Sequence, residues 1–200
     1  MATVVTQVGI IILAAGQSSR LGKPKQLLPF RGTSLLRHAV QAAIQANIGP
    51  VVVVLGANFP LIAPELNGLG VLTVNNHEWP EGMSSSLRAG LSTLIKAYPL
   101  TEGAIFMVCD QPFISKSVLL CLMEVQHKTG KPVVAAVYAG KMGTPVLFHS
   151  SFFGLLAQLK GDKGARSLIA EHKGQVEVVP FEKGAFDIDT QADYGQVQGQ

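Results

Sequence analysis

A chain of 200 residues with 48% apolar content can bury one sizeable core but is short for two full domains, which commonly run about 100–200 residues each. Its 16 basic and 13 acidic side chains leave a formal charge of +3, weak for a nucleic-acid binder and without the basic run or interleaved aromatics of one. The expected partner is a small anion.

Met1 to Ile12 carry no basic n-region with a small-residue cleavage site, and no apolar run approaches the ~20 residues of a spanning helix. A soluble protein outside the membrane is expected. Val8 to Leu13 is a continuous apolar run, the pattern of a strand buried on both faces. It leads into Leu13-Ala14-Ala15-Gly16-Gln17-Ser18-Ser19-Arg20-Leu21-Gly22-Lys23-Pro24-Lys25, a loop of small residues that ends in cations. Small residues let backbone N–H groups approach an anion, and Arg20, Lys23 and Lys25 supply the charge a polyphosphate needs, so a nucleotide phosphate is the expected ligand. Five residues separate Gly16 from Gly22 and Pro24 follows Lys23, which breaks the Walker A spacing; no Gly-x-Gly-x-x-Gly dinucleotide fingerprint is present either. The bland reading of this stretch is a strand-to-helix turn with solvated lysines.

A helix is predicted next, with Leu35, Leu36, Ala39, Val40, Ala43 and Ile44 as its apolar stripe, Thr33 or Ser34 as its cap and Gly49-Pro50 as its stop. The apolar runs Val51–Leu55 and Val71–Val74 read as strands, the second followed by the polar cluster Asn75 to Ser86. Met83–Lys96 is predicted as a helix with Leu87, Leu91, Leu94 and Ile95 inward. Ala104–Val108 is a further strand that ends in Cys109-Asp110-Gln111-Pro112. Helices at Ser117–His127 and Ser151–Leu159 and strands at Val133–Tyr138 and Val176–Val179 complete the pattern, with a frayed tail at Gln196–Gln200.

Strands alternating with helices at this spacing predict an α/β fold, a three-layer, doubly wound and mostly parallel sheet. Ligands in such folds lie beyond the carboxyl ends of the strands, where the polar clusters at 16–25, 75–86 and 109–112 fall, so three loops are expected to face one crevice. Cys109 and Cys121 show no metal-ligand spacing and no secreted disulfide framework, which fits a reducing cytoplasm. A reactive Cys109 is disfavoured because its neighbour Asp110 raises the thiol pKa.

The run Leu-Ala-Ala-Gly-x-Ser-x-Arg-x-Gly-x-x-Lys at 13–25 resembles the signature of the MobA-like nucleotidyltransferases, and more narrowly that of the molybdenum cofactor cytidylyltransferases (MocA-like). Four further pieces follow in the family's order: Asn76 to Leu87 with Trp79, Gly82 and Met83; Asp110-Gln111-Pro112; Gly161-Asp162-Lys163-Gly164-Ala165-Arg166; and Asp187-Ile188-Asp189-Thr190 with Asp193. The resemblance spans residues 8–195. It implies a Rossmann-like, GT-A-like nucleotidyltransferase domain that moves CMP from CTP to the phosphate of molybdopterin with release of pyrophosphate and needs Mg2+. A client molybdoenzyme or its chaperone is a further implied partner. The alternatives are a transferase for GTP or for a sugar or alcohol phosphate, and a noncatalytic carrier of the finished cofactor. A dehydrogenase lacks its glycine fingerprint.

Asp110, just past a strand and stiffened by Pro112, is expected to hold the magnesium ion, for which hard oxygen ligands suit; an Asx turn is the alternative. Asp187 and Asp189 are expected to diverge, so that at most one reaches the same ion, and Asp193 reads as a helix-cap carboxylate. Arg20 and Lys25 are expected on the triphosphate, as a two-oxygen grip and a point charge, with Asp110 forming the catalytic set, while Lys23 is solvated. The resemblance places Leu13, Ala14, Ala15 and Gly16 against base and ribose, and Asn76, Gly82 and Ser86 where relatives read the base. The Ala15 methyl, glycine in guanylyltransferase relatives, favours cytosine, although a methyl discriminates by only about 1–3 kcal/mol. Ser84 is balanced between a helix cap and a contact, and Trp79 between a core plug and a wall of the site. On the acceptor side the resemblance implies Gly143, Pro145, Asp162 and Arg166, with Thr144 standing where the family's histidine would. Exposed helix-start residues are the alternative for Asp162, Lys163 and Arg166. His38, His127, His149 and His172 read as structural or solvated.

Overall fold

The computed structural model describes residues 7–198. In chain order the strands and helices are β1 (Gln7–Ala14), β2 (Pro29–Phe30), β3 (Thr33–Ser34), α1 (Leu35–Ala46), β4 (Val51–Leu55), α2 (Phe59–Ile62), β5 (Leu72–Asn75), α3 (Met83–Ala97), β6 (Thr101–Val108), α4 (Lys116–Thr129), β7 (Val133–Tyr138), β8 (Lys141–His149), α5 (Phe153–Ala157), α6 (Ala165–Glu171), β9 (Val176–Pro180) and α7 (Gln191–Gln198). Residues 196–198 of the expected tail continue α7, and 199–200 lie outside the described residues. No described helix is long and apolar enough to cross a membrane.

Seven strands form one sheet in the order β5-β4-β1-β6-β8-β7-β9, and β2 and β3 make a separate hairpin. All neighbours pair parallel except β8, which runs antiparallel to both β6 and β7. The predicted doubly wound sheet is therefore the observed one. Along β1, Val8, Ile10, Ile12 and Ala14 pack with α1 and α4 on one face, while Ile11 and Leu13 pack with α3, α5 and α6 on the other. A strand sandwiched between helices has no polar face, which is why these strands read as continuous apolar runs.

Ser34 caps α1 by accepting from the Arg37 N–H at 3.1 Å, and the helix ends at Asn47 with φ of 50°. The chain thus stops two residues before the Gly49-Pro50 signal, because asparagine tolerates the left-handed cap. Ile44, assigned to the apolar stripe, is 39% exposed at the end of the helix. The helix predicted at Ser151–Leu159 is a 3-10 turn at Ser150–Phe152 followed by α5.

β8 was missed by the pattern reading. Pro145 inside the run argues against a strand, and the ladder answers that objection locally: Ala135 pairs with Val146 and Ala136 with Gly143, so Thr144 and Pro145 bulge out of register. The bulge aims Thr144 at the crevice.

Candidate active site

Strand order reverses between β1 and β6, since the chain steps from β1 outward to β4 and β5 and then returns to the other side of β1. A crevice opens beyond the carboxyl ends at such a switch point. The loop after β1 lies on one side of it and Asp110, after β6, on the other.

The β1 loop is held by Gln26, which is 1% exposed and donates its side-chain amide to the carbonyls of Ala14 at 2.8 Å and Gly16 at 2.9 Å. Ser18, with φ of 58°, accepts from the Lys25 N–H at 3.0 Å. These bonds curl the loop so that the Lys25 side chain turns inward. Sequence reasoning passed over Gln26; its signal is an amide beside Leu27 and Leu28, where a buried polar group must find partners.

Lys25 Nζ donates to Asp110 Oδ2 at 2.6 Å and to Asp189 Oδ1 at 2.7 Å, and Arg20 Nη2 reaches Asp189 Oδ2 at 2.8 Å. Burial works against the Lys25 charge, but Asp110 and Asp189 hold the ammonium protonated well above the ordinary lysine range. Burial likewise opposes the Asp189 charge, yet Lys25 and Arg20 keep that carboxyl below the usual carboxylate range. Asp110 Oδ1 is buried with no hydrogen-bond partner, an acceptor left unpaired. Lys23 stays exposed, its ammonium 5.9 Å from the centre of the Tyr194 ring.

Asp187 and Asp189 do not diverge. Alternate residues of extended chain point to one side; Ile188 between them is fully buried, and both carboxylates line the same cavity. The Ile188 N–H donates to the Asp110 carbonyl at 3.0 Å, which clamps the segment to the tip of β6. Burial and the neighbouring Asp110 charge push Asp187 up to about 6, against the pull of Arg166. The Asp187 surface still meets solvent, so only part of that effect reaches the free energy. Asp193 closes a capping box at the start of α7: its Oδ2 accepts from the Thr190 N–H at 2.7 Å, and Thr190 Oγ1 accepts from the Asp193 N–H at 3.2 Å.

Among the described residues no three acidic, imidazole or thiol groups gather tightly enough to hold an ion unaided. The Lys25 ammonium lies between Asp110 and Asp189 instead. The donor set still fits a hard divalent ion, because Mg2+ and its kin take one or two carboxylates and complete their shell with substrate phosphates and water, and Asp110 offers an unpaired oxygen. Cys109, 4% exposed, has its thiol pushed up to about 12 by burial and by Asp110, so it is inert.

Two cavities meet at this point. The first, of ≈350 Å³, is bounded by Leu13 to Gly16, Trp79, Gly82 and Ser86; the second, of ≈450 Å³, has an apolar floor of Leu87, Phe106 and Val108 under Arg20, Arg166 and Asp187. Leu13, Lys25, Met83, Val108, Asp110 and Asp162 line both. Of the expected acceptor residues, Asp162 and Arg166 face the second cavity beside Thr144, whereas Gly143 and Pro145 are buried behind it. Gly143 leaves room for the Arg166 guanidinium, which donates to Tyr138 Oη at 3.1 Å. Gln111, 1% exposed, donates to the Gly184 carbonyl at 2.9 Å and to Tyr138 Oη at 3.2 Å, a brace that sequence reasoning did not isolate. His38, His127, His149 and His172 line neither cavity.

The segment before α3 is tied inward rather than left open. Asn76, 5% exposed, donates to Ser85 Oγ at 2.9 Å and Ser86 Oγ at 3.0 Å while its Oδ1 accepts from the Glu78 N–H at 3.0 Å. Ser84 is not a cap; its hydroxyl donates to the Gly161 carbonyl at 2.6 Å, and Gly82 precedes the helix without a side-chain cap. Gly82 has φ of 107°, and a β-carbon there would meet Gly161 C and O at 2.8 Å. The 161–166 loop is thereby latched onto the start of α3, with Arg88 Nη1 donating to the Leu159 carbonyl at 2.6 Å as a second tie.

The domain model described as MobA-like NTP transferase matches residues 10–176. A nicotine blue oxidoreductase of Paenarthrobacter nicotinovorans is 31% identical over 192 residues, covering 90% of this chain and 91% of that protein. A probable molybdenum cofactor guanylyltransferase of Bacillus mycoides (strain KBAB4) is 23% identical over 158 residues, covering 77% of this chain and 76% of its own. The crystal structure of Rv0371c from Mycobacterium tuberculosis H37Rv has a TM-score of 0.84 at 30% identity, covering 98% of this chain and 100% of that one. A complex of the same protein with manganese has a TM-score of 0.81 at 29% identity over the same shares.

Proposed function

From the premise that this chain belongs to the MobA-like NTP transferase family, we propose that it transfers a cytidylyl group from CTP to the phosphate of molybdopterin. The observation that carries this reading is the contact of Lys25 with Asp110 and Asp189 where the two cavities join. One cavity seats the nucleotide, the other the acceptor, and the charged groups lie at the shared wall where phosphorus would change partners.

An oxygen of the acceptor phosphate attacks the α-phosphorus of CTP. A new P–O bond forms, the bond from that phosphorus to the α–β bridging oxygen breaks, and pyrophosphate departs with the electron pair. Such transfer depends mainly on positioning and on neutralising charge. Lys25 exchanges its carboxylate partners for phosphate oxygens, Arg20 grips two oxygens at once, and the backbone from Ala14 to Gly16 borders base and ribose. Asp110, with Asp187 or Asp189, would hold the divalent ion, Mg2+ in this reading, which when bound neutralises phosphate charge. The apolar floor of Leu87, Phe106 and Val108 suits the face of a pterin, and Arg166 suits its phosphate.

The name of one relative points to hydride chemistry, but the loop after β1 lacks the Gly-x-Gly-x-x-Gly spacing that seats a nicotinamide dinucleotide. The test is to incubate the purified protein with each labelled NTP, molybdopterin and Mg2+ or Mn2+ and to follow pyrophosphate. Turnover with CTP is expected, and turnover with GTP alone would overturn the base assignment. Asp110→Ala should lower turnover about 100-fold or more with an unchanged circular dichroism spectrum; near-normal activity would remove Asp110 from the reaction.

A further inference from the structure

A third cavity, of ≈330 Å³, lies beyond the tips of β4 and β5 and is lined by the amides of Gln17, Asn58, Asn75 and Asn76 with His77. It carries no carboxylate, ammonium or guanidinium in its walls, so it suits a neutral polar ring and not a phosphate. Gln17 and Trp79 are the residues that line both this space and the nucleotide cavity. Gln17 is exposed, whereas Trp79 is half-buried and packs against the core on the α3 side of the sheet. Trp79 is therefore the packed residue that the two walls share.

Its placement is tightly specified. A β-carbon on Gly56 would come within 2.8 Å of Trp79 Cβ and 2.9 Å of Ala15 Cβ, so the three residues already pack in contact. The Ala57 N–H donates to the Ala15 carbonyl at 3.0 Å, which fixes the β4 turn to the nucleotide loop. The Gly82 N–H donates to the Trp79 carbonyl at 3.1 Å and closes the turn that carries the ring. Such a wall yields little without moving β1, β4 or α3.

We infer that Trp79 is the residue that restricts this protein to pyrimidine nucleotides, a step that rests on the nucleotidyl-transfer reading above. A six-membered base fits on the near side of the indole. The second ring of a purine needs the volume the indole fills, and behind it lies an amide-lined space able to hydrogen-bond a purine edge. The spaces on the indole's two sides measure ≈350 and ≈330 Å³, so removing the ring should join them and admit purines.

Trp79 is the only tryptophan of the chain, so its emission reports on the wall directly. Saturating CTP should quench that emission, and GTP at the same concentration should do so far less. In steady-state pyrophosphate assays Trp79→Ala should raise kcat/KM for GTP relative to CTP by about tenfold or more, the scale on which one wall group discriminates. Trp79→Leu, which keeps apolar bulk at the turn, should show a smaller rise and serves if the alanine variant melts early. An unchanged GTP-to-CTP ratio of kcat/KM in a folded variant that still turns over CTP, at whatever rate, overturns the partition while leaving the proposed function standing. Failure of the parent protein to bind or turn over any NTP overturns both.

Discussion

Lys25→Met removes the cation that joins two acidic side chains. In the folded chain Lys25 Nζ makes contacts of 2.6 Å to Asp110 and 2.7 Å to Asp189, with side-chain exposures of 15%, 20% and 34% for the three residues. Charge-assisted hydrogen bonds contribute about 1.5–3 kcal/mol each when well shielded, and solvent at these carboxylates cuts the pair to about 2 kcal/mol in total. The folded-state pKa of Lys25 lies above its ordinary value and that of Asp189 below it, so this contribution is complete at neutral pH and is lost as alkali titrates the folded ammonium or as acid protonates the carboxylate. For a chain of this length the loss corresponds to about 4–8 °C in Tm, measurable by thermal unfolding at pH 7.5. The variant leaves Asp110, Asp187 and Asp189 facing one another with Arg20 alone to offset them. A divalent ion then takes the place of the ammonium, so millimolar Mg2+ or Mn2+ should raise the Tm of Lys25→Met more than that of the parent. At tenfold over Kd the linkage is worth about 1.4 kcal/mol. Equal melting temperatures together with an equal response to metal would refute the reasoning.

Gly82→Ala puts a side chain at φ of 107° and ψ of −174° and drives it into the Gly161 backbone, so a loss of about 1–3 kcal/mol is expected from the backbone alone, with weakened nucleotide binding. Gly154→Ala, where no atom lies within 4 Å, is the control; equal urea midpoints for the two would contradict the latch between α3 and the 161–166 loop. Asp187, pushed up to about 6 from 3.8, binds its proton more tightly folded than unfolded, so it costs stability as pH rises from 4 through 6. Discounted for solvent, the cost is about 1 kcal/mol; Asp187→Asn should therefore raise the metal-free Tm at pH 7.5 and leave it unchanged at pH 4, and a fall at pH 7.5 would count against the charge crowding.

The strands buried on both faces were legible because a continuous apolar run has a single packing solution. Val51–Leu55 and Val133–Tyr138 appear with the bounds the runs suggest. β8 was not legible, since Pro145 forbids a strand by local rules and only the bulge against Ala135 and Ala136 permits one. α6 and α7 escaped as elements, although Asp193 was read correctly as a cap, because short helices carry little periodicity. In the site, the cations of the β1 loop and the strand-end position of Asp110 stood out. Gln26 and Gln111 did not, because a buried amide is recognised by the carbonyls that surround it, and those come from other segments.

The amino-acid sequence by itself determined which segments become strands, where the polar loops fall and that cations gather in the loop after β1, because these depend on periodicity and residue type within a few neighbours. Only the tertiary structure decided that Lys25 would touch Asp110, 85 residues on, and Asp189, 164 residues on. It also decided that Asp187 and Asp189 would share one face and that Trp79 would line two adjoining cavities. Those outcomes depend on the order in which strands join the sheet, and that order minimises exposed apolar surface over the whole chain rather than over any window of it.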